Sequence, residues 1–201
     1  AAFNLAYYSF LFSKKIKPNN DTYLWPDGIF IKLFTNKVDK IPGRRLILEL
    51  DVPKNIKKIH VIGNTSQNID AFLYKKFKDK KIKFSGLPFG SANIIIKKLP
   101  KVYSSELVLV TLPTPKQEIV ARVLYEKNKD VKILCIGGGL GIAADDEKPC
   151  PRFIEKIYLE SIWRLRYQTR RRLHRLIESI IISFISLPCL FFKRVKINSE
   201  K

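Results

Sequence analysis

The segment Glu106-Leu107-Val108-Leu109-Val110-Thr111-Leu112 is almost continuously apolar, the pattern of a strand buried on both faces of a parallel sheet. Other segments flank it in the same register of the chain. Lys58 to Gly63 reads as a buried strand closing on a glycine, Lys81 to Gly86 as a strand with alternating polarity, and Val131 to Ile136 as a further strand. Between them, Gln67 to Lys78, Ser91 to Leu99 and Lys116 to Asn128 carry helical patterns, with Asn64 to Ser66 placed to cap the first. A strand recurs about every 25 residues, as βαβ units require. The pattern predicts an α/β fold: a Rossmann-like, mostly parallel sheet flanked by helices, with ligands at the carboxyl ends of the strands. Residues 1–152 form this domain in the sequence reading, and Ala1 to Phe12 supply its first helix. A signal peptide is the alternative for those residues, but they lack a basic start and an obvious cleavage site.

From Phe153 the pattern changes. The run to Ile185 is helical and strongly basic: between Arg152 and Arg175 stand seven Arg and one Lys against two Glu. At 100° per residue, Arg164, Arg171 and Arg175 share one face within about 40°. Arg166 and Arg170 lie nearer the apolar side, where an arginine needs an anion or a carboxylate. Ile180 to Phe192 is too short to span a membrane, contains Pro188, and runs into Lys193, Arg194 and Lys196. It suits a segment lying in a membrane interface. Residues 153–201 thus read as a basic, amphipathic, membrane-associating helical appendage.

Charge narrows the partners. A formal net charge of +20 on 201 residues implies an anionic partner: nucleic acid, an anionic membrane surface or a phosphorylated ligand. Three cysteines, Cys135, Cys150 and Cys189, without a C-x-x-C pair, argue against a disulfide framework or zinc site and for a reducing compartment.

Candidate chemistry gathers at three places. In Trp25-Pro26-Asp27-Gly28-Ile29-Phe30, a short apolar strand ends on one carboxylate held in a Pro/Gly turn, which suits a general base. An ordinary Asp-Gly turn explains the same residues. In Leu112-Pro113-Thr114-Pro115-Lys116-Gln117-Glu118, the residues Thr114, Lys116 and Gln117 open a helix whose first amides face the carboxyl edge, an anion-ready position. In Gly137-Gly138-Gly139-Leu140-Gly141 the backbone can approach a phosphate. The spacing is not G-x-G-x-x-G, and no helix is expected to open after it, so a dinucleotide site is rejected. Asp145-Asp146-Glu147 reads as a solvated or capping turn, and there is no D-x-D motif. His60 reads as a core or edge histidine, His174 as a surface residue and Cys135 as a small hydrophobe. No Ser/His/Asp or Cys/His set is expected.

Taken in order, WPDGIF with KIPGRRL, LVTLPTPKQE, and ILCIGGG followed by PCPRFIEKIYLESIWRLRYQTRRRLHRL resemble the WecG/TagA/CpsF glycosyltransferases. The resemblance implies an inverting transferase moving a sugar, often of N-acetylmannosamine type, from a UDP-sugar donor to a polyprenyl-diphosphate-linked acceptor. It implies work at the cytoplasmic face of the membrane, as a peripheral protein, with no metal and no other cofactor. Carried over by position, Asp27 is the general base and Gln117 lies near the sugar or acceptor. Lys40 stands where the family has an Arg, and Asn4 aligns with an Asn of a Thr-x-Asn segment. Arg164, Arg170, Arg171 and Arg175 fall where the family's arginines meet the diphosphate. The chain departs from the pattern where Arg45 replaces an Asp, Gly141 replaces another Asp, and Pro149-Cys150-Pro151 replaces R-A-P. A homo-oligomer is among the assemblies this reading allows. Two rivals stand beside it: a basic nucleic-acid-binding protein, though RRM, helix-turn-helix and zinc signatures are absent, and an inactive scaffold of the same fold.

Overall fold

The computed structural model describes residues 1–12, 18, 20–27, 39–146, 148, 150, 151, 153, 154, 163, 173, 174, 177, 180 and 181. Its amino end corrects the single opening helix expected over Ala1 to Phe12. Ala2–Phe3 (β1) pairs in parallel with Trp25–Pro26 (β2), in the register Ala2↔Trp25 and Phe3↔Pro26. The helix, Leu5–Phe12 (α1), begins only after Asn4. The physical reason is Asn4 itself: its Oδ1 accepts the Tyr7 amide at 3.0 Å, an N-terminal cap that fixes where the helix starts. Asp27 follows β2 directly, as the sequence pattern suggested.

Ile41 lies against β2, its amide donating to the Pro26 carbonyl at 2.7 Å. The chain then enters Gly43–Glu49 (α2), a helix the sequence reading did not anticipate. Beyond α2 the predicted alternation appears nearly residue for residue: Lys58–Ile62 (β3), Gln67–Lys76 (α3), Lys81–Ser85 (β4), Ala92–Ile96 (α4), Glu106–Val110 (β5), Lys116–Lys127 (α5) and Lys132–Cys135 (β6). Ser66 caps α3, its Oγ accepting the Ile69 amide at 3.1 Å. A further short helix, Gly139–Ala143 (α6), opens straight out of the glycine run, where none was expected. Its apolar side chains explain it, since Leu140 is fully buried and Ala144 nearly so.

The four longer strands form one parallel sheet of order β4-β3-β5-β6. Ile59, Val61 and Leu109 face a core closed by α2, α3 and α6, through Ile47, Ile69, Leu73 and Leu140. Ile62, Val108 and Val110 face a second core closed by α4 and α5, through Ile95, Val120 and Leu124. Helices on both faces explain why β5 reads as an unbroken apolar run. The chain runs outward from β3 to β4, then from β5 to β6 in the opposite direction. The carboxyl ends of β3 and β5 therefore flank the switch point where such sheets hold ligands.

Candidate active site at the carboxyl edge of the sheet

Asn4 and Asp27 leave the ends of β1 and β2 one step beyond their last paired residues. The cap fixes the Asn4 carboxamide, and its Nδ2 donates to Asp27 Oδ2 at 3.2 Å. The asparagine thus joins the helix start to the carboxylate, and Asp27 is half-buried rather than turned out to bulk water. Gly28 lies outside the described residues. Lys40 precedes Ile41, whose amide bonds Pro26, so Lys40 runs alongside the strand that delivers Asp27.

The chain after Ile41 meets the glycine run. Two residues past Ile41, Gly43 packs directly on the loop after β6. A Cβ built on Gly139 would lie 3.0 Å from the Gly43 carbonyl carbon and 3.2 Å from its α-carbon. Gly138 caps α6, and Gly137 adopts φ +55°, left-handed backbone that favours glycine.

Across from this loop stands the first turn of α5. Gln117 is 4% exposed and Glu118 is 8% exposed. Gln117 Nε2 donates to Glu118 Oε1 at 2.8 Å and to Thr114 Oγ1 at 3.1 Å, and Thr114 Oγ1 donates to the same Glu118 oxygen at 3.1 Å. Gln117 Oε1 faces Gly137: a Cβ there would sit 3.4 Å from it. Burial pushes the Glu118 carboxyl above its ordinary value, and the bonds from Gln117 and Thr114 offset part of that. Tyr7 of α1 lies in the same neighbourhood. Burial first, then the charges of Glu118 and Cys135, push its hydroxyl up to about 12. Cys135, fully enclosed at the end of β6, is pushed up to about 12 mainly by burial.

The structure therefore brings Asn4 and Asp27 together at the ends of β1 and β2, and Thr114, Gln117 and Gly137 together at the carboxyl edge of the larger sheet. Lys116 turns elsewhere: its Nζ donates to the Gly90 carbonyl at 2.5 Å and lies 5.8 Å from the centre of the Phe89 ring, toward the loop after β4. Arg164, Arg170, Arg171 and Arg175 lie outside the described residues. Arg45, one of the departures, points to the surface of α2 and pairs with Glu49 at 2.7 Å. Asp146 accepts from Ser66 Oγ at 2.5 Å, which ties the acidic turn to the start of α3, as a capping turn would be. Among the described residues, no three His, Cys, Asp or Glu side chains converge as metal ligands.

Two features escaped the sequence reading. Glu118 is the first; it is buried in the fold with Tyr7 in its electrostatic neighbourhood, and its only signal was its place beside Gln117. The second is the hydrogen-bonded setting of His60, which bears out its reading as a core histidine. His60 Nδ1 lies 3.1 Å from Glu106 Oε2, and His60 Nε2 lies 2.8 Å from Ser85 Oγ. Lys58 closes the chain on the other Glu106 oxygen. The three partners come from separate strands, so no local pattern shows them. His60 and Glu106 have no exposed surface, so the set satisfies a buried carboxylate instead of meeting a substrate. Burial lowers the His60 pKa, with Glu106 opposing. Burial also opposes ionisation of Glu106, but the bonds from Lys58 and His60 outweigh it and hold that carboxyl below its ordinary value.

A doubly wound α/β layer with polar groups at the strands' carboxyl edge defines an α/β protein with its candidate ligand site at the strand ends. The profile of the glycosyl transferase WecG/TagA/CpsF family matches residues 19–196, and the chain belongs to that family. No curated protein and no solved structure matches it. Membership makes it a glycosyltransferase of cell-wall or polysaccharide synthesis. Among the described residues, no helix is long and apolar enough to cross a membrane.

Proposed function

We propose that this chain transfers a sugar with inversion from a UDP-sugar to a polyprenyl-diphosphate-linked saccharide, without a metal, using Asp27 as general base. The observation that carries this reading is the Asn4–Asp27 bond at the ends of β1 and β2. It holds a single half-buried carboxylate in a fixed direction, which a base needs in order to take a proton from an acceptor hydroxyl. The hydroxyl then attacks the anomeric carbon from the side opposite the leaving group. The O–C bond forms as the C–O bond to the diphosphate breaks, and the proton rests on Asp27. Negative charge grows on the departing UDP. The backbone amide of Gly138, whose neighbours Gly137 and Gly139 donate to the Val110 and Ile136 carbonyls, and the arginines Arg164, Arg170, Arg171 and Arg175 are the groups proposed to meet it, an effect worth several kcal/mol in preorganised sites. Residues 153–201, with their basic and apolar faces, are proposed to hold the protein on the anionic cytoplasmic face of the membrane.

The test is UDP release from a panel of UDP-sugars, with a polyprenyl-diphosphate-linked saccharide in anionic vesicles, in EDTA. Release that requires both donor and acceptor and persists in EDTA supports the reading. Absence of release with every donor, or tight RNA binding that competes with the vesicles, overturns it. Deleting residues 176–201 is expected to leave the chain in the supernatant when vesicles are sedimented.

A further inference from the structure

The geometry points to Glu118 as a positioning residue that fixes which end of the Gln117 carboxamide a ligand meets, and so makes the subsite beside Gly137 one for a hydrogen-bond donor instead of a phosphate. This rests on the transferase reading above and deepens it.

A glutamine side chain presents a donor or an acceptor depending on a half-turn of its amide. Here the half-turn is decided by neighbours. Glu118 Oε1 already accepts from Thr114 Oγ1 at 3.1 Å, so it can only accept again, and it takes Gln117 Nε2 at 2.8 Å. Thr114 Oγ1, having given its proton to Glu118, accepts the second amide hydrogen at 3.1 Å. Both Gln117 donors are thereby spent inside the protein. Its Oε1 has no hydrogen-bond partner, although the residue is 4% exposed. A buried acceptor left unmet is costly, so its persistence calls for an explanation. Its neighbour is Gly137, where nothing larger than hydrogen stands and a Cβ would come within 3.4 Å.

A ligand O–H or N–H entering beside Gly137 completes this acceptor, whereas a phosphate oxygen there would meet another oxygen. The glycine run therefore has two kinds of neighbour. The Gly138 amide stands at the start of α6, while that of Gly139 donates to the Ile136 carbonyl at 3.1 Å, and the Gln117 oxygen faces Gly137. Of a nucleotide sugar, the part that suits this oxygen is a sugar hydroxyl or an acetamido N–H, and the diphosphate belongs elsewhere along the edge.

The test compares UDP with UDP-N-acetylmannosamine on the full chain, by calorimetry, alongside exchange of the Gln117 side-chain amide protons by NMR. In the wild type those protons exchange slowly; in Glu118→Leu they exchange quickly. Gln117→Ala and Glu118→Leu each weaken the sugar nucleotide about tenfold relative to UDP, the effect of one lost hydrogen bond. The double variant loses no more than either single one, because both remove the same bond. Glu118→Gln, which keeps an acceptor oxygen in place, restores the preference and the slow exchange. Fast exchange in the wild type, an equal loss for UDP, or failure of Glu118→Gln to restore the preference overturns the proposal. A wild type that binds neither compound sinks the UDP-sugar reading and the ligand half of this proposal, while the amide exchange still decides whether Glu118 holds Gln117.

Discussion

Asn4 donates to Asp27 at 3.2 Å while the same carboxamide caps α1 through the Tyr7 amide. One side chain therefore sets both the start of a helix and the direction of the proposed base. Asp27→Asn is expected to lower kcat by two or more orders of magnitude with an unchanged melting temperature, in line with general-base contributions. Asn4→Asp keeps a capping oxygen but sets a like charge against Asp27. That disfavours the ionised base and raises its pKa, so the acid limb of the kcat/KM profile should move to higher pH. Asn4→Ala loses the cap as well, and about 1 kcal/mol of stability with it. Unchanged turnover in Asp27→Asn removes that residue from the mechanism.

The contact between Gly43 and Gly139 makes a second expectation asymmetric. A Cβ on Gly43 finds nothing closer than 3.6 Å, ordinary contact, whereas one on Gly139 would meet the Gly43 backbone at 3.0 Å. Gly43→Ala should therefore leave the denaturant midpoint near the wild-type value. Gly139→Ala should cost about 1–3 kcal/mol, the range for overpacking, because backbone has to move. Since this contact holds the segment after Asp27 against the glycine run, Gly139→Ala should also raise KM. Equal midpoints for the two variants contradict the geometry.

Glu118 gives a pH dependence whose sign follows from its raised pKa. Below the ordinary value of 4.5 the carboxyl is neutral in both the folded and unfolded chain. As pH climbs past it, the unfolded chain ionises first and the folded protein keeps its proton longer. Stability drawn from this group is thus lost as pH rises through the window between the two values. Glu118→Gln removes the titration. Urea midpoints measured from about pH 4 to 8 should show the variant gaining on the wild type with rising pH. A constant gap across the range argues that the carboxyl is not held neutral by burial.

The His60–Glu106 pair acts with the opposite sign. Because His60 is lowered below 6.5 in the folded protein, acidification protonates the unfolded chain first, and stability falls as pH drops below 6.5. Glu106, held below 4.5, adds a further loss at lower pH. His60→Gln can still donate to Glu106 and accept from Ser85, so it should flatten the loss just below 6.5 and leave the lower one. The check is thermal unfolding along a descending pH series in wild type and variant.

The arrangement of the sheet was legible because its cause is local. An apolar run such as Glu106–Val110 is a strand buried on both faces whatever surrounds it, and the helical period between such runs permits only a parallel crossover. The motif residues Asp27 and Gln117 were legible for a similar reason: a Pro-Asp-Gly turn and a Pro-stiffened helix start are written in consecutive positions. Other features were not written that way. Helix α2 carries two arginines in its first turn and shows no helical signal until Ile47 finds the sheet. Helix α6 is glycine-rich and forms because Leu140 is buried, against its own propensity.

What the sequence determined by itself was the order of the four strands of the larger sheet and the helices α3, α4 and α5 between them, the excess of positive charge and the residue types offered at each strand's end, since these depend on near neighbours and on composition. Tertiary structure alone decided that Asn4 would hold Asp27, that Glu118 would be buried against Gln117, and that Ser85, His60 and Glu106 would share a hydrogen-bonded chain. Those relationships join residues 23, 25 and 46 positions apart, or turn on burial. Only packing, which brings distant segments into one place and removes water from between them, fixes such distances and shifts such pKa values.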